Sequence, residues 1–274
     1  MTIPYPWKSD FIKFDYKRIH YYHNETNQTK PVLLFHHGFS DNGLCWERIA
    51  SKFVDNYQIY LIDARGHGKS SDPNGDLTYH DLVQDVYDFC DELKLRNVVL
   101  IGHSMGGVVA AMAATDHHSI RGSILEDPAF PTNILNVANL KARQISAAMQ
   151  KHRETPKSAE HYERQIKRMR PSWDQQDIET AAKAHTEFSQ HYPLRNGKVL
   201  FSTPRWKDLV PKFTKPVLLL TSSKGLLNRR DGILFQNLNL LISWEHFDKV
   251  GHSIRRENFE RYYSVVRKFI EGLT

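Results

Sequence analysis

The chain has 274 residues, of which 40% are hydrophobic and 25% are charged, an ordinary globular composition. This length suits one large α/β domain, with or without an insertion, and it is sufficient to bury a hydrophobic core. The formal net charge is +6, and residues 141–170 alone carry nine Lys or Arg against three Asp or Glu. Aromatic residues are not interleaved there as nucleic-acid stacking requires, so we expect a solvated basic face and no nucleic-acid partner.

Signals of export, membrane insertion and metal binding are absent from the sequence. The opening MTIPYPWKSD has no signal-peptide pattern, and no run of 18 apolar residues predicts a membrane span. Cys45 and Cys90 cannot form a disulfide framework and match no zinc spacing. The pairs His36–His37 and His117–His118 are not expected to chelate, because adjacent strand residues point to opposite faces. We therefore expect a cytoplasmic protein without a metal.

Strands and helices alternate along residues 10–127. Strands are predicted at Phe11–Phe14, Arg18–Tyr22, Val32–His36, Gln58–Ile62, Val98–Ile101 and Gly122–Leu125. Helices are predicted at Leu44–Phe53, after a Thr78-x-x-Asp81 capping box, and at Met105–Thr115. Continuous apolar strands that alternate with helices indicate a parallel sheet with helices on both faces.

The strand pattern stops between Phe130 and Trp206. This charged stretch, rich in Gln, Lys and Arg, predicts a helical lid inserted at residues 130–206, with a core of residues 1–129 and 207–274. Strands at Pro216–Thr221 and Leu240–Phe247 and a last helix at Glu257–Glu271 complete the predicted elements. Ligands of such open sheets bind at the carboxyl ends of the strands, where the candidate residues below lie.

A serine flanked by glycines follows the strand that ends at Ile101. The pentapeptide GHSMG places Gly102 and Gly106 around Ser104, between a strand and a helix of small residues. A nucleophilic serine needs such a sharp turn to lift its hydroxyl clear of the sheet, and side chains at the two glycine positions would collide with neighbouring elements. The next amide, that of Met105, begins a helix and can donate to an oxyanion.

A serine nucleophile also needs a base and a second oxyanion donor. His252 follows the last strand and comes after the serine in chain order, as this arrangement requires. In the HHGF stretch, Gly38 lets the backbone approach a ligand, and the amide of Phe39 can supply the second donor. His37 is expected to order this loop rather than to take part in the chemistry.

The motifs HHGF, DARGHGKS, GHSMGG, LEDPAF and VGHS occur in the order and spacing of the α/β-hydrolase family, which the chain resembles over residues 18–127 and 212–272. The closest likeness is to the lidded esterase, lactonase and C–C hydrolase branch. The resemblance implies an eight-stranded, mostly parallel sheet, a Ser/His/acid triad and no cofactor. It implies Ser104 as nucleophile, His252 as base, and the amides of Phe39 and Met105 as oxyanion donors.

The acid of the triad departs from the family pattern. The family carries it after the strand that reads PVLLL here, but the chain continues with 221–226 and has no carboxylate before Asp231. Some members carry the acid one strand earlier, and that strand here ends in GSILEDPAF, which predicts Asp127 as the partner of His252. The alternatives are Glu126, Asp231 and Asp248, a Ser-His dyad, or an inactive site.

The expected function is hydrolysis of a small carboxylic ester, lactone or related acyl compound through an acyl-enzyme. A C–C bond hydrolase would share every residue named, and a non-catalytic receptor or pseudoenzyme is the alternative of a different class. A third is an interaction protein that uses the basic lid face. Epoxide hydrolase and dehalogenase chemistry is not expected, because those relatives use Asp where this chain has Ser104. A small-molecule substrate is the expected partner, anionic if residues 141–170 face the pocket, and the sequence indicates no oligomeric state.

Overall fold

The strands of the protein form a single sheet in a computed structural model that describes residues 5–24, 30–115, 117–130, 155, 157–188 and 205–273. The strands are β1 Lys8–Phe14, β2 Lys17–His23, β3 Val32–His36, β4 Gln58–Ile62, β5 Val98–His103, β6 Ile120–Glu126, β7 Val217–Lys224 and β8 Ile242–Gly251. Their order in the sheet is β1-β2-β4-β3-β5-β6-β7-β8. β2 pairs antiparallel with β1 and β4, and all the other neighbours pair in parallel. The predicted eight-stranded, mostly parallel sheet is confirmed.

Helices cover both faces of this sheet. The described helices are α1 Glu47–Ala50, α2 Tyr79–Glu92, α3 Met105–Ala113, α4 Ala159–Met169, α5 Gln175–Glu187, α6 Trp206–Leu209, α7 Arg229–Leu238, α8 Ile254–Glu257 and α9 Phe259–Leu273. Leu34 and Leu100 point to the core under α2 and α3, whereas Leu33 and Ile101 point to the core under α1 and α9. This alternation follows from the two-residue repeat of a strand, and it makes each central strand apolar on both faces.

One predicted helix differs from the observed structure, and another begins as predicted. The amphipathic stretch Leu44–Phe53 is one short α-helical turn between two 3₁₀ turns, not a continuous helix. α2 begins as predicted, because the Thr78 hydroxyl accepts from the amide of Asp81 and the Asp81 carboxylate accepts from the amide of Thr78. Among the described residues, no helix has the length and apolar character needed to cross a membrane.

The stretch between β6 and β7 contains α4, α5 and α6, and α4 packs against α5. α5 buries one side, including Ile178 and Ala181, whereas no residue of α4 is buried. Part of the predicted lid lies outside the described residues, namely 131–154, 156 and 189–204. The basic stretch is therefore described only at residue 155 and from residue 157 onward.

The central parallel strands bring the candidate residues to one edge of the sheet. β3 leads to Phe39, β5 to Ser104, β6 to Asp127 and β8 to His252. α3 is buried along its whole length, since its sequence MGGVVAAMA is small enough to pack against β5 and β6. The serine therefore stands at the centre of the sheet, on the first turn of a helix that cannot shift.

Candidate active site

Ser104 occupies a strained turn between β5 and α3. Its backbone has φ 53° and ψ −107°, a conformation that costs a non-glycine residue on the order of 1–3 kcal/mol. A Cβ at Gly102 would lie 2.0 Å from the carbonyl oxygen of Gly106, and a Cβ at Gly106 would lie 2.1 Å from the carbonyl oxygen of His36. Both positions therefore require glycine, and the turn that raises the serine depends on them.

The imidazole of His252 is bound to the carboxylate of Asp127. Nδ1 of His252 donates to Oδ2 of Asp127 over 2.6 Å. A carboxylate can only accept, so Nδ1 carries the proton and Nε2 presents a lone pair. Asp127 is fully buried, whereas the side chain of His252 is 32% exposed and lines the same cavity as Ser104. This tautomer is the one that a base acting on a serine hydroxyl needs.

The other candidate carboxylates lie elsewhere. Glu126 is buried against Arg255, which donates to it from its backbone amide at 2.9 Å and from Nη1 at 3.0 Å. Asp231 caps the first turn of α7. Asp248 lies exposed on β8, where it is paired with an arginine. Of the four, only Asp127 contacts the imidazole.

The segment after β7, where the family usually carries its acid, folds onto Asp127 instead. The amides of Leu226 and Leu227 donate to Oδ2 and Oδ1 of Asp127 at 2.8 and 2.9 Å. A Cβ at Gly225 would lie 2.4 Å from Oδ2 of Asp127. The departure from the family pattern thus has a steric reason, because glycine at this position leaves the space that the carboxylate of the preceding strand fills.

The two predicted oxyanion donors lie on loops that meet at Ser104. Met105 is the first residue of α3, and the first amides of a helix have no intrahelical carbonyl partner. Phe39 follows β3 and lines the cavity with the serine. The two loops are joined by the amide of Gly106, which donates to the carbonyl of His37 at 3.2 Å.

His37 orders the loop after β3, as the sequence predicts. Its Nδ1 donates to the carbonyl of Gly38 at 2.7 Å, and its Nε2 accepts from the amide of Ala64 at 2.9 Å. Burial lowers the pKa of this imidazole, so the ring stays neutral and both nitrogens keep these roles.

His103 is not among the residues predicted from the sequence, yet it touches the candidate base. Its Nε2 donates to the backbone carbonyl of His252 at 3.1 Å, and the two rings lie 4.6 Å apart. Burial, followed by the nearby His252, lowers the pKa of His103 well below its ordinary value. A neutral imidazole here holds the His252 loop against the serine turn. Its place immediately before Ser104 was the one signal in the sequence.

A cavity of about 690 Å³ opens at Ser104, a size that suits a small molecule. Core loops form one side of it, and α4, α5 and the residues around them form the other. The second side contributes apolar and polar surface, from Tyr162, Ile166, Trp173, His185 and Phe188. The charged residues of the lining are Asp41, Lys157, Arg170 and Arg256.

Ion pairs lie beside this cavity, and one of them connects α5 to the core. Arg256 donates to Asp41 at 3.0 Å, and Arg48 donates to Asp177 of α5 at 2.9 Å. Burial alone would raise the pKa of Asp41, but the guanidinium groups of Arg256 and Arg255 outweigh it and hold the pKa below its usual value. The carboxylate of Asp41 is therefore ionised and paired with these two arginines.

The expectation that His117 and His118 point apart is wrong. They lie in a turn before β6 rather than in a strand, and their rings are 4.5 Å apart. With Asp91 of α2 they form a group whose potential ligand atoms lie within 4.8 Å of one another. None of the three lines the cavity at Ser104.

Comparisons with known proteins agree with the fold. A family model described as "Alpha/beta hydrolase family" matches residues 33–262. Epoxide hydrolase 1 of Caenorhabditis elegans is 30% identical over 106 residues, 38% of this chain and 26% of that protein, so the chain spans about a quarter of that relative. The 2-(acetamidomethylene)succinate hydrolase of Mesorhizobium japonicum is 27% identical over 207 residues, 72% of each chain. A crystal structure of E-2-(acetamidomethylene)succinate hydrolase is similar in fold, with a TM-score of 0.78 at 17% identity over 97% of this chain and 99% of that one.

Proposed function

We propose that this chain, which belongs to the alpha/beta hydrolase family, is a serine hydrolase that cleaves a small carboxylic ester, lactone or related acyl compound. Ser104 is the nucleophile, His252 the base and Asp127 the acid that orients it. The observation that carries the proposal is the 2.6 Å hydrogen bond from His252 to Asp127, at a cavity that the strained Ser104 also lines.

The reaction would proceed through an acyl-enzyme. Oγ of Ser104 attacks the acyl carbon while Nε2 of His252 takes the hydroxyl proton, and the amides of Phe39 and Met105 donate to the resulting oxyanion. The tetrahedral intermediate expels the alcohol, which receives the proton from Nε2. Water then attacks the acyl carbon, gives its proton to the same nitrogen, and releases the carboxylic acid with the serine restored.

Two alternatives use the same fold. A non-catalytic receptor was favoured by the missing acid after β7, and the contact of Asp127 with His252 supports a hydrolase instead. A C–C bond hydrolase would use all the same groups, and analysis of the products separates it from an esterase. The epoxide chemistry in the names of some relatives is not carried over to this chain, because the nucleophile position holds Ser104.

Residues 130–206 would form a lid on a core of residues 1–129 and 207–274. The support comes from α4 and α5, whose residues line the cavity opposite Ser104. We also propose a cytoplasmic location, which two buried cysteines without a disulfide support.

The proposal is tested with a fluorophosphonate probe and a panel of 4-nitrophenyl esters and lactones. Ser104→Ala should abolish labelling and lower kcat by several orders of magnitude, because the triad acts as one unit. Ser253→Ala is the matched control, since Ser253 lines the same cavity and should leave labelling intact. Labelling of the Ser104→Ala protein at the wild-type level would contradict the proposal, and an unlabelled wild type would favour the receptor.

A further inference from the structure

The cavity lining contains more cationic than anionic side chains. Its one carboxylate, Asp41, accepts a hydrogen bond from Arg256 at 3.0 Å and lies 3.8 Å from Arg255. Its cations are Arg256, which this pair neutralises, and two further residues, Lys157 and Arg170. The described lining therefore contains no unpaired carboxylate, but it contains two cations whose side chains donate no hydrogen bond to a described residue.

Arg170 directly follows Met169, the last residue of α4, and its guanidinium makes one long ion pair, with Glu257. None of its side-chain N–H groups donates a hydrogen bond to a described residue. The nearest carboxylate oxygen, Oε1 of Glu257, lies 3.8 Å away, too far for a hydrogen bond, and the other oxygen of Glu257 accepts from the amide of Gly251. The side chain is about half exposed and lies against the ring of Trp173. A planar guanidinium with free donors beside an aromatic ring suits a carboxylate ligand.

Lys157 precedes α4 and lines the cavity without an ion pair among the described residues. The described end of the basic stretch, residues 157–170, is thus divided. Lys157 and Arg170 face the cavity, whereas Arg168, one turn or less from the helix end, lies exposed and does not line it. Of the two expectations from the sequence, the described residues Lys157 and Arg170 favour a basic pocket, and Arg168 favours a solvated face.

We infer that the substrate is an acyl compound that carries a carboxylate remote from the scissile bond, and that Arg170 binds this carboxylate, with a weaker contribution from Lys157 near the other end of α4. The inference rests on the proposed function, because it names the substrate class of the same site. Apolar side chains of the lining, among them Trp173 and Phe188, strengthen the attraction between the cations and an anion. Anchoring one end of the substrate at the side formed by α4 leaves its acyl carbon free to face the serine.

A matched pair of esters tests the charge preference. The 4-nitrophenyl monoester of glutarate and 4-nitrophenyl valerate have acyl chains of similar length and differ in a terminal carboxylate. The wild-type ratio of kcat/KM for glutarate over valerate should exceed about tenfold at low salt and fall in about 0.5 M NaCl. Arg170→Gln should lower this ratio by about tenfold, and Lys157→Gln should lower it less because a flexible ammonium binds a carboxylate less specifically.

Arg168→Gln is the matched control, since it removes the same charge from the same helix outside the cavity, and it should leave the ratio within about twofold. A ratio near or below one, or equal effects of the Arg168 and Arg170 variants, would overturn the inference while the proposed function survives.

A binding arm separates the two claims. Calorimetry with glutarate on the Ser104→Ala chain needs no turnover, and binding should weaken by about tenfold when Arg170→Gln is added. If the wild type neither hydrolyses an ester nor reacts with the fluorophosphonate, the proposed function fails, and glutarate binding still decides whether Arg170 holds a carboxylate. Glutarate affinity that does not depend on Arg170 would refute the site.

Discussion

The two sides of the cavity are held in different ways. The floor, formed by the loops of Phe39, Ser104, Asp127 and His252, stands on the ends of parallel strands and on buried hydrogen bonds. The roof, formed by α4 and α5, is helical and more exposed, and α4 has no buried residue. The proposed catalytic groups thus lie on rigid elements, whereas the groups that we infer to bind a carboxylate lie on a part that contributes fewer buried contacts.

Polar and aromatic contacts join the described roof to the core around the floor. Asp177 of α5 accepts from Arg48, and Phe188 packs its ring 5.1 Å from Phe39 and 4.8 Å from His67. The roof can therefore be loosened by single substitutions that leave the floor intact. Such substitutions should change substrate binding before they change the chemical step.

The largest effect is expected from Asp127→Asn in the floor. An asparagine tolerates the φ of 41° at this position, but it can no longer hold Nδ1 of His252 protonated, so kcat should fall by roughly 10²–10⁴. The substitution also replaces one of the two oxygens that accept hydrogen bonds from the amides of Leu226 and Leu227. It should therefore lower the free energy of unfolding by about 1–3 kcal/mol. Steady-state kinetics and urea unfolding measure the two effects.

The rival carboxylates provide the controls for that experiment. Asp231→Asn and Asp248→Asn should keep kcat within about tenfold of the wild type. Glu126→Gln should instead destabilise the protein by about 3 kcal/mol, because it leaves the buried Arg255 without its main partner. If Asp127→Asn keeps near-full activity and one of the other variants loses its activity, the residue changed in that other variant is the acid.

A second effect, on how the free energy of unfolding depends on pH, is expected from imidazoles that are buried in and under the floor. Burial lowers the pKa of His36 to about 3, and it lowers the pKa values of His67 and His103 well below 6.5. The unfolded chain binds protons at these sites below about pH 6.5 and the folded chain does not. The free energy of unfolding should therefore decrease with falling pH, by about 1 kcal/mol per pH unit for each imidazole.

Urea unfolding between about pH 7 and pH 5 measures this slope. The same titration on His118→Gln, which removes an exposed imidazole, should give the same slope as the wild type. A stability that stays flat or rises over this range would mean that the floor histidines are charged in the folded protein.

The smallest effect is expected from Asp177→Asn in the roof. The loss of its charge weakens the pair with Arg48 and with Arg256, whose Nε lies 4.0 Å away. KM should rise by about three- to tenfold while kcat changes less than about twofold, and amide exchange in α4 and α5 should become faster. Lys183→Gln, which breaks an exposed pair on the same helix, should change neither parameter measurably. A collapse of kcat would show that roof and floor do not act independently.

What the sequence by itself determined are the features set by neighbouring residues. The two-residue repeat of apolar strands, the glycines two positions on either side of Ser104 and the capping box at Thr78 each act within a few residues, so their patterns could be interpreted without coordinates. The order of the motifs along the chain indicated the fold and placed His252 after the last strand.

Only the tertiary structure decided which carboxylate meets the imidazole. Asp127 and His252 are 125 residues apart, and their contact depends on the order of β6, β7 and β8 in the sheet and on the space above Gly225. Glu126 is adjacent in sequence but points to the opposite face, toward Arg255, because successive strand residues alternate. The division of the basic stretch between cavity and solvent, and the approach of His117 to His118, likewise depend on how separate elements pack, which no local pattern encodes.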